Sequence, residues 1–88
     1  MRGKKQEPEQ LEVIARAPFH IYFEGSAGVV SAENNVGPFD ILPGHADFFS
    51  ILRSSEVVIE NEEEVVSFSI VNGIISVRDN RVLLFINM

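Results

Sequence analysis

Ile74-Ile-Ser-Val-Arg-Asp-Asn-Arg-Val-Leu-Leu-Phe-Ile-Asn87 decides how this chain folds. Two apolar runs flank Asp79-Asn80, a dipeptide that tolerates the positive φ of a two-residue hairpin loop. Such a loop pairs Arg78 with Arg81, Val77 with Val82 and Ile75 with Leu84. Ile75, Val77, Val82, Leu84 and Ile86 then share one face, wholly apolar, which is read as the core side. The other face carries Ser76, Arg78 and Arg81, but also Ile74, Leu83 and Phe85. The outer side of an antiparallel sheet usually meets water. Three large apolar side chains there point to a surface that a partner covers.

The same pattern extends toward the N-terminus. Glu56–Glu60 and Val65–Val71 form a second hairpin candidate around Asn61, Glu62 and Glu63. Phe48 to Leu52 and Gly37 to Leu42 are short apolar segments separated by Pro43-Gly44. Further upstream, Leu11, Val13 and Ala15 alternate with Glu12, Ile14 and Arg16 up to Pro18. His20 to Glu24 and Ser26 to Glu33 are read as two more strands, with Gly25 bending the chain between them and Asn34-Asn35 turning it afterwards. Nowhere do apolar residues recur at helical spacing for three turns without Gly or Pro intervening. About eight to ten short strands with turns at close intervals define an all-β sandwich or barrel. Residues 1–10 are polar and read as a flexible leader, and residues 11–88 as one folded domain.

Composition removes several function classes. The 88 residues carry 13 acidic and 7 basic side chains, for a net charge of -6. A nucleic-acid surface or a basic membrane-surface helix needs clustered Lys and Arg instead. No apolar run approaches the roughly 20 residues that cross a bilayer, so no direct membrane insertion is expected. There is no cysteine, hence no disulfide, thiol nucleophile or thiolate metal site.

The candidates for chemistry are few. His45, Asp47 and Asp40 are residue types that a metal site or an acid–base pair uses. Yet Pro43 presets φ, Gly44 supplies positive φ, and a histidine after such a corner more often bonds a neighbouring backbone group. Gly25-Ser-Ala-Gly28 lacks the Lys-Ser/Thr ending and the helix of a phosphate cradle. Glu60, Glu62, Glu63 and Glu64 read as a solvated hairpin tip rather than a cation site. No catalytic residue, metal or cofactor is expected.

The stretch Gly37-Pro-Phe-Asp-Ile-Leu-Pro-Gly-His-Ala46 resembles the Gly-x-Phe-Gly-Ile/Val-Leu-Pro-Gly-His-Ala signature of the epsilon subunit of rotary ATP synthases. Leu11-Glu-Val-Ile-Ala-Arg-Ala-Pro18 is similar to that family's opening strand, Tyr22-Phe-Glu-Gly25 to its next strand, and Val29-Val-Ser-Ala32 to the strand before the signature. Phe68-Ser-Ile-Val-Asn-Gly-Ile-Ile-Ser-Val77 resembles the segment around the family's Gly-Gly pair, and Asn80-Arg-Val-Leu-Leu-Phe85 its last strand. The sequence departs from the pattern at Asp40 (usually Gly), Asp47 (often Pro), Pro38 (often acidic) and Asn72 (first Gly of the pair).

The resemblance implies a flattened ten-stranded antiparallel β-sandwich without the helical hairpin that usually follows it. It implies a non-catalytic central-stalk part of a proton-translocating (F-type) ATP synthase, at the cytoplasmic face of the cell membrane. The implied partners are the gamma subunit and the c subunits of the rotor ring. The interface is expected to involve Pro38, Phe39, Leu42, Pro43, Gly44 and His45, together with Ile74, Leu83 and Phe85. The alternatives are a free-standing β-sandwich that binds a ligand, with Tyr22 and Phe side chains stacking on a sugar, and a small hydrolase using His45 and Asp47.

Overall fold

The computed structural model describes residues 10–88. The expected leader falls, apart from Gln10, outside the described residues. Nine strands follow one another: β1 Leu11–Ala17, β2 His20–Ala27, β3 Val29–Asn34, β4 Gly37–Ile41, β5 Phe48–Leu52, β6 Ser55–Glu60, β7 Val65–Ile70, β8 Asn72–Arg78 and β9 Arg81–Asn87. They form a five-stranded sheet in the order β2-β1-β9-β8-β5 and a four-stranded sheet in the order β4-β3-β6-β7.

The terminal hairpin has the expected register. Val77 pairs with Val82, Ile75 with Leu84 and Ile74 with Phe85. Asp79 and Asn80 take φ of 51° and 61°, the two left-handed positions of a type I′ turn, whose twist matches that of the strands. Asp and Asn hold this conformation at less cost than other non-glycine residues.

The core follows from period-2 alternation. Leu11, Val13 and Ala15 of β1, Ile75 and Val77 of β8, and Val82, Leu84 and Ile86 of β9 are buried from the five-stranded sheet. They meet Val30 and Ala32 of β3, Ile41 of β4, Val57 and Ile59 of β6 and Ile70 of β7. Among the described residues no polar or charged residue is buried, so burial of apolar surface is the dominant attraction between the sheets.

Three expectations need correction. Among the described residues the sandwich has nine strands, not ten. Its pairing is not wholly antiparallel, because β1 runs parallel to β9, with Val13 beside Val82 and Ala15 beside Leu84. The inward alternation of both strands is preserved in that arrangement, and nothing local in the sequence signals a partnership between its two ends. Finally, Gly25 does not divide two strands. It stays in the ladder opposite Val13, and the chain bends at Gly28, whose N–H donates to the carbonyl of Glu60 at 2.8 Å.

Candidate partner interface

The Leu42–Asp47 loop carries the chain from β4 in one sheet to β5 in the other, and its shape is set by two residues. The N–H of His45 donates to the carbonyl of Leu42 at 3.0 Å, closing a four-residue turn with Pro43 and Gly44 at its centre. Gly44 has φ of 86°, which is the third position of a type II turn, where Gly is favoured after Pro. Nδ1–H of His45 donates to the carbonyl of Ala46 at 2.7 Å. The imidazole is thus bound to neighbouring backbone, as the sequence led one to expect. Among the described residues, His45, Asp47 and Asp40 belong to no cluster that can hold a metal ion.

Aromatic packing supports the corner from below. Phe39 and Phe48 meet edge to face at 5.3 Å, and Phe48 meets the His45 ring in the same manner at 5.6 Å. Phe39 therefore points inward and is half-buried against the core, while Leu42, Gly44 and His45 are exposed and Pro43 is half-buried. Pro38 lies on the outside of the four-stranded sheet, paired with Glu33. The nine expected interface residues are thus not one site. They divide into the corner, Pro38 on the other sheet, and the outer face of the terminal hairpin.

That outer face is larger than the sequence indicated. Ile74, Leu83 and Phe85 are 40%, 37% and 44% exposed, as the hairpin register required. Parallel pairing sets Ile14 beside Leu83, and antiparallel pairing sets Ile51 beside Ile74. Phe49, opposite Ser76, adds an aromatic ring at the β5 edge, and Ile21, opposite Arg16, extends the face to β2. All four of these added side chains are exposed. An apolar band therefore crosses β1, β9, β8 and β5, and Arg16 separates it from Ile21 on β2. Arg16, Arg78 and Arg81 share this side with Glu12 and Glu24, whereas the four-stranded sheet turns Asp40, Glu56 and Glu60 outward. The two faces differ in kind: one is apolar, with Arg16 set between Ile21 and Phe85 and with Arg78 and Arg81 at the hairpin end, the other acidic.

Ile14, Ile21, Phe49 and Ile51 were missed by the sequence reading. Phe49 and Ile51 alternate with Phe48, Ser50 and Leu52, and Ile14 sits between Val13 and Ala15, so their outward direction was legible. What was not legible is that β1 and β5 lie in the same sheet as the terminal hairpin.

The sugar-binding alternative loses Tyr22, while the rings of Phe49 and Phe85 stay exposed on the apolar face. Tyr22 is half-buried, with His20 at 4.3 Å and Phe68 at 5.9 Å from its ring, and is packed against the core. The depressions on the five-stranded sheet are shallow. One of about 420 Å³, bordered by Pro18, Ile51, Ile74 and Phe85, lies on the apolar band itself.

A two-sheet β-sandwich with an apolar outer face has the form of an interaction domain. Residues 10–87 match the family model described as the beta-sandwich domain of the ATP synthase delta/epsilon chain, and this chain belongs to that family. It is similar to the ATP synthase epsilon chain of Trichlorobacter lovleyi, with 26% identity over 80 residues, covering 91% of this chain and 56% of the relative. The epsilon chain of Geobacter sulfurreducens is 26% identical over 78 residues, covering 89% and 56%. The chain therefore spans just over half the length of these relatives.

Among solved structures, one chain of the cryo-EM structure of the Euglena gracilis mitochondrial ATP synthase (OSCP/F1/c-ring) superposes with a TM-score of 0.86 at 18% identity. It covers 98% of this chain and 56% of that one. A chain of the Tetrahymena thermophila mitochondrial ATP synthase central stalk and c-ring gives 0.78 at 21%, covering 96% and 67%. These confirm the sandwich fold.

Proposed function

We propose that this domain is a non-catalytic part of the central stalk of a rotary, proton-translocating ATP synthase. It seats against the gamma subunit and the c subunits of the ring, and stiffens the joint through which rotation is passed on. It neither binds nor hydrolyses ATP. Its place is the cytoplasmic face of the cell membrane, where it is held through the ring rather than inserted. Among the described residues no helix is long and apolar enough to cross a membrane.

The observation that carries this reading is the apolar band across the five-stranded sheet, in a chain of the delta/epsilon family. A face of that composition gains free energy when another protein removes it from water. In this proposal the band meets the gamma subunit, and the Leu42–His45 corner and Pro38 meet neighbouring rotor subunits.

The test is reconstitution with the cognate alpha, beta and gamma subunits and the c ring. The double variant Leu83→Ser, Phe85→Thr keeps its β-type far-UV spectrum but binds the assembly about tenfold or more weakly, as expected for central aromatic and aliphatic anchors. Cysteines placed at Pro38 and His45 cross-link to rotor subunits. Undiminished binding by the double variant, together with no cross-link from either cysteine, overturns the proposal.

A further inference from the structure

The corner and the terminal hairpin are 36 residues apart in sequence, yet one side chain joins them. Oδ1 of Asn80 accepts the N–H of Gly44 at 2.7 Å. The backbone carbonyl of the same residue accepts the N–H of Glu12 at 2.8 Å. Asn80 thus ties together the β8–β9 turn, the first residues of β1 and the crossover loop.

The turn chemistry explains why this bond matters. In a type II turn the closing hydrogen bond uses the first carbonyl and the fourth N–H, here Leu42 and His45. That bond fixes the turn internally but leaves the N–H of the third residue, Gly44, without a partner inside the turn. The internal geometry of the corner therefore does not determine how the corner is held against the body of the sandwich. Asn80 supplies a polar attachment at this N–H, reinforced by the His45–Phe48 ring contact.

We propose that Asn80 is a positioning residue: its side chain latches the Pro43-Gly44-His45 corner in the orientation offered to the stalk partner. The proposal rests on the reading above that this corner meets a partner. Two demands converge on the position. The type I′ turn requires a residue comfortable at φ of 61°. The latch requires a short side chain ending in an oxygen acceptor. Gly meets the first demand alone. Asp meets both, because it tolerates the left-handed region and keeps an oxygen where Oδ1 stands. Ala, Ser and Gln do not meet both.

This division of demands supplies the test. Asn80→Gly preserves the turn, since Asp-Gly is a preferred type I′ pair, and removes only the latch. Amide hydrogen exchange, followed residue by residue by NMR on the whole chain, reads the latch directly. In Asn80→Gly the Gly44 amide exchanges about tenfold faster or more, while the amides of Ile75 and Leu84 in the ladder keep their protection. Asn80→Asp stays close to the parent protein. The second readout is affinity for the reconstituted complex of alpha, beta and gamma with the c ring, expected to fall about three- to tenfold in Asn80→Gly and to be restored in Asn80→Asp.

Leu42→Ser and His45→Ala are measured alongside. An unchanged Gly44 exchange rate in Asn80→Gly overturns the latch. Faster exchange with full affinity, in a series where Leu42→Ser or His45→Ala weakens binding, overturns the positioning role while the corner remains an interface. Full affinity in all of these variants means that the corner is not an interface at all. The positioning role then falls with it, whatever the exchange data show.

Discussion

Leu83 and Leu84 are neighbours on β9 with the same chemistry and the same strand conformation, but they face opposite sides of the sheet. Leu84 is 0% exposed and sits across the ladder from Ile75, within the core. Leu83 is 37% exposed, leaving roughly two-thirds of it covered by its neighbours Ile14 and Ser76. Truncating Leu84 to Ala removes buried methyl groups and leaves a cavity between two sheets that cannot close over it. Substitutions of this kind cost about 2–5 kcal/mol, with about 3 expected here. Truncating Leu83 gives up part of a surface contact and opens no cavity, for about 1 kcal/mol. The loss of strand propensity from Leu to Ala is common to both and cancels in the comparison.

For a domain of this size each kcal/mol lowers the melting temperature by about 4–8 °C, so the two variants are expected to melt about 10–15 °C apart, Leu84→Ala lower. Urea unfolding with an unchanged slope provides the free-energy difference independently of the thermal scan. If the two variants melt within about 4 °C of each other, or Leu83→Ala melts lower, the assignment of faces in the terminal hairpin is wrong. The apolar band would then belong to the core.

Two further outcomes follow from close contacts. A Cβ at Gly73 would stand 2.7 Å from the carbonyl oxygen of Phe85 and 3.2 Å from Cγ2 of Ile86, so Gly73→Ala is expected to destabilise the chain by about 2 kcal/mol or more, read by thermal melting. Asn61 accepts the N–H groups of Glu63 and Glu64 at 2.8 and 2.9 Å and donates from Nδ2 to the carbonyl of Ser26 at 3.1 Å. Asn61→Ala is therefore expected to cost about 1–2 kcal/mol and to speed amide exchange at Glu63 and Glu64 while leaving the ladder between β8 and β9 protected.

What the sequence made legible is whatever adjacent residues decide. Asp79-Asn80 fixed the terminal hairpin and thereby sorted Ile75 from Ile74 and Leu84 from Leu83, because a two-residue loop leaves only one register. Pro43-Gly44 foretold the type II corner and the backbone bond of His45 for the same local reason. Gly25 misled, because glycine weakens a strand without necessarily ending it, and the pairing of β2 with β1 carried the chain through it. The full extent of the apolar band was hidden as well. Ile14 and Ile51 reach it only because β1 and β5 flank the terminal hairpin, and such pairings between distant segments leave no mark in a local pattern. Phe39 shows the complementary error: it belongs to the motif by sequence, but strand alternation turns it inward beneath the corner it helps to hold up.

The parallel pairing of β1 with β9 also governs the order in which the molecule can be made. β9 lies between β1 and β8, in the middle of the larger sheet. On a ribosome, β1 and β2 are made before the other seven strands, as a hairpin with one unsatisfied edge, and the strand that fills that edge is the last of the nine to emerge. Until Arg81–Asn87 clears the exit tunnel, the five-stranded sheet exists only as fragments, and the core residues of β1 have no neighbour on that side. Folding of this domain thus waits for its ninth strand and closes a long loop, slow by the standards of helical domains. During that interval Leu11, Val13 and Ala15 remain accessible to chaperones and to misdirected pairing with other nascent chains.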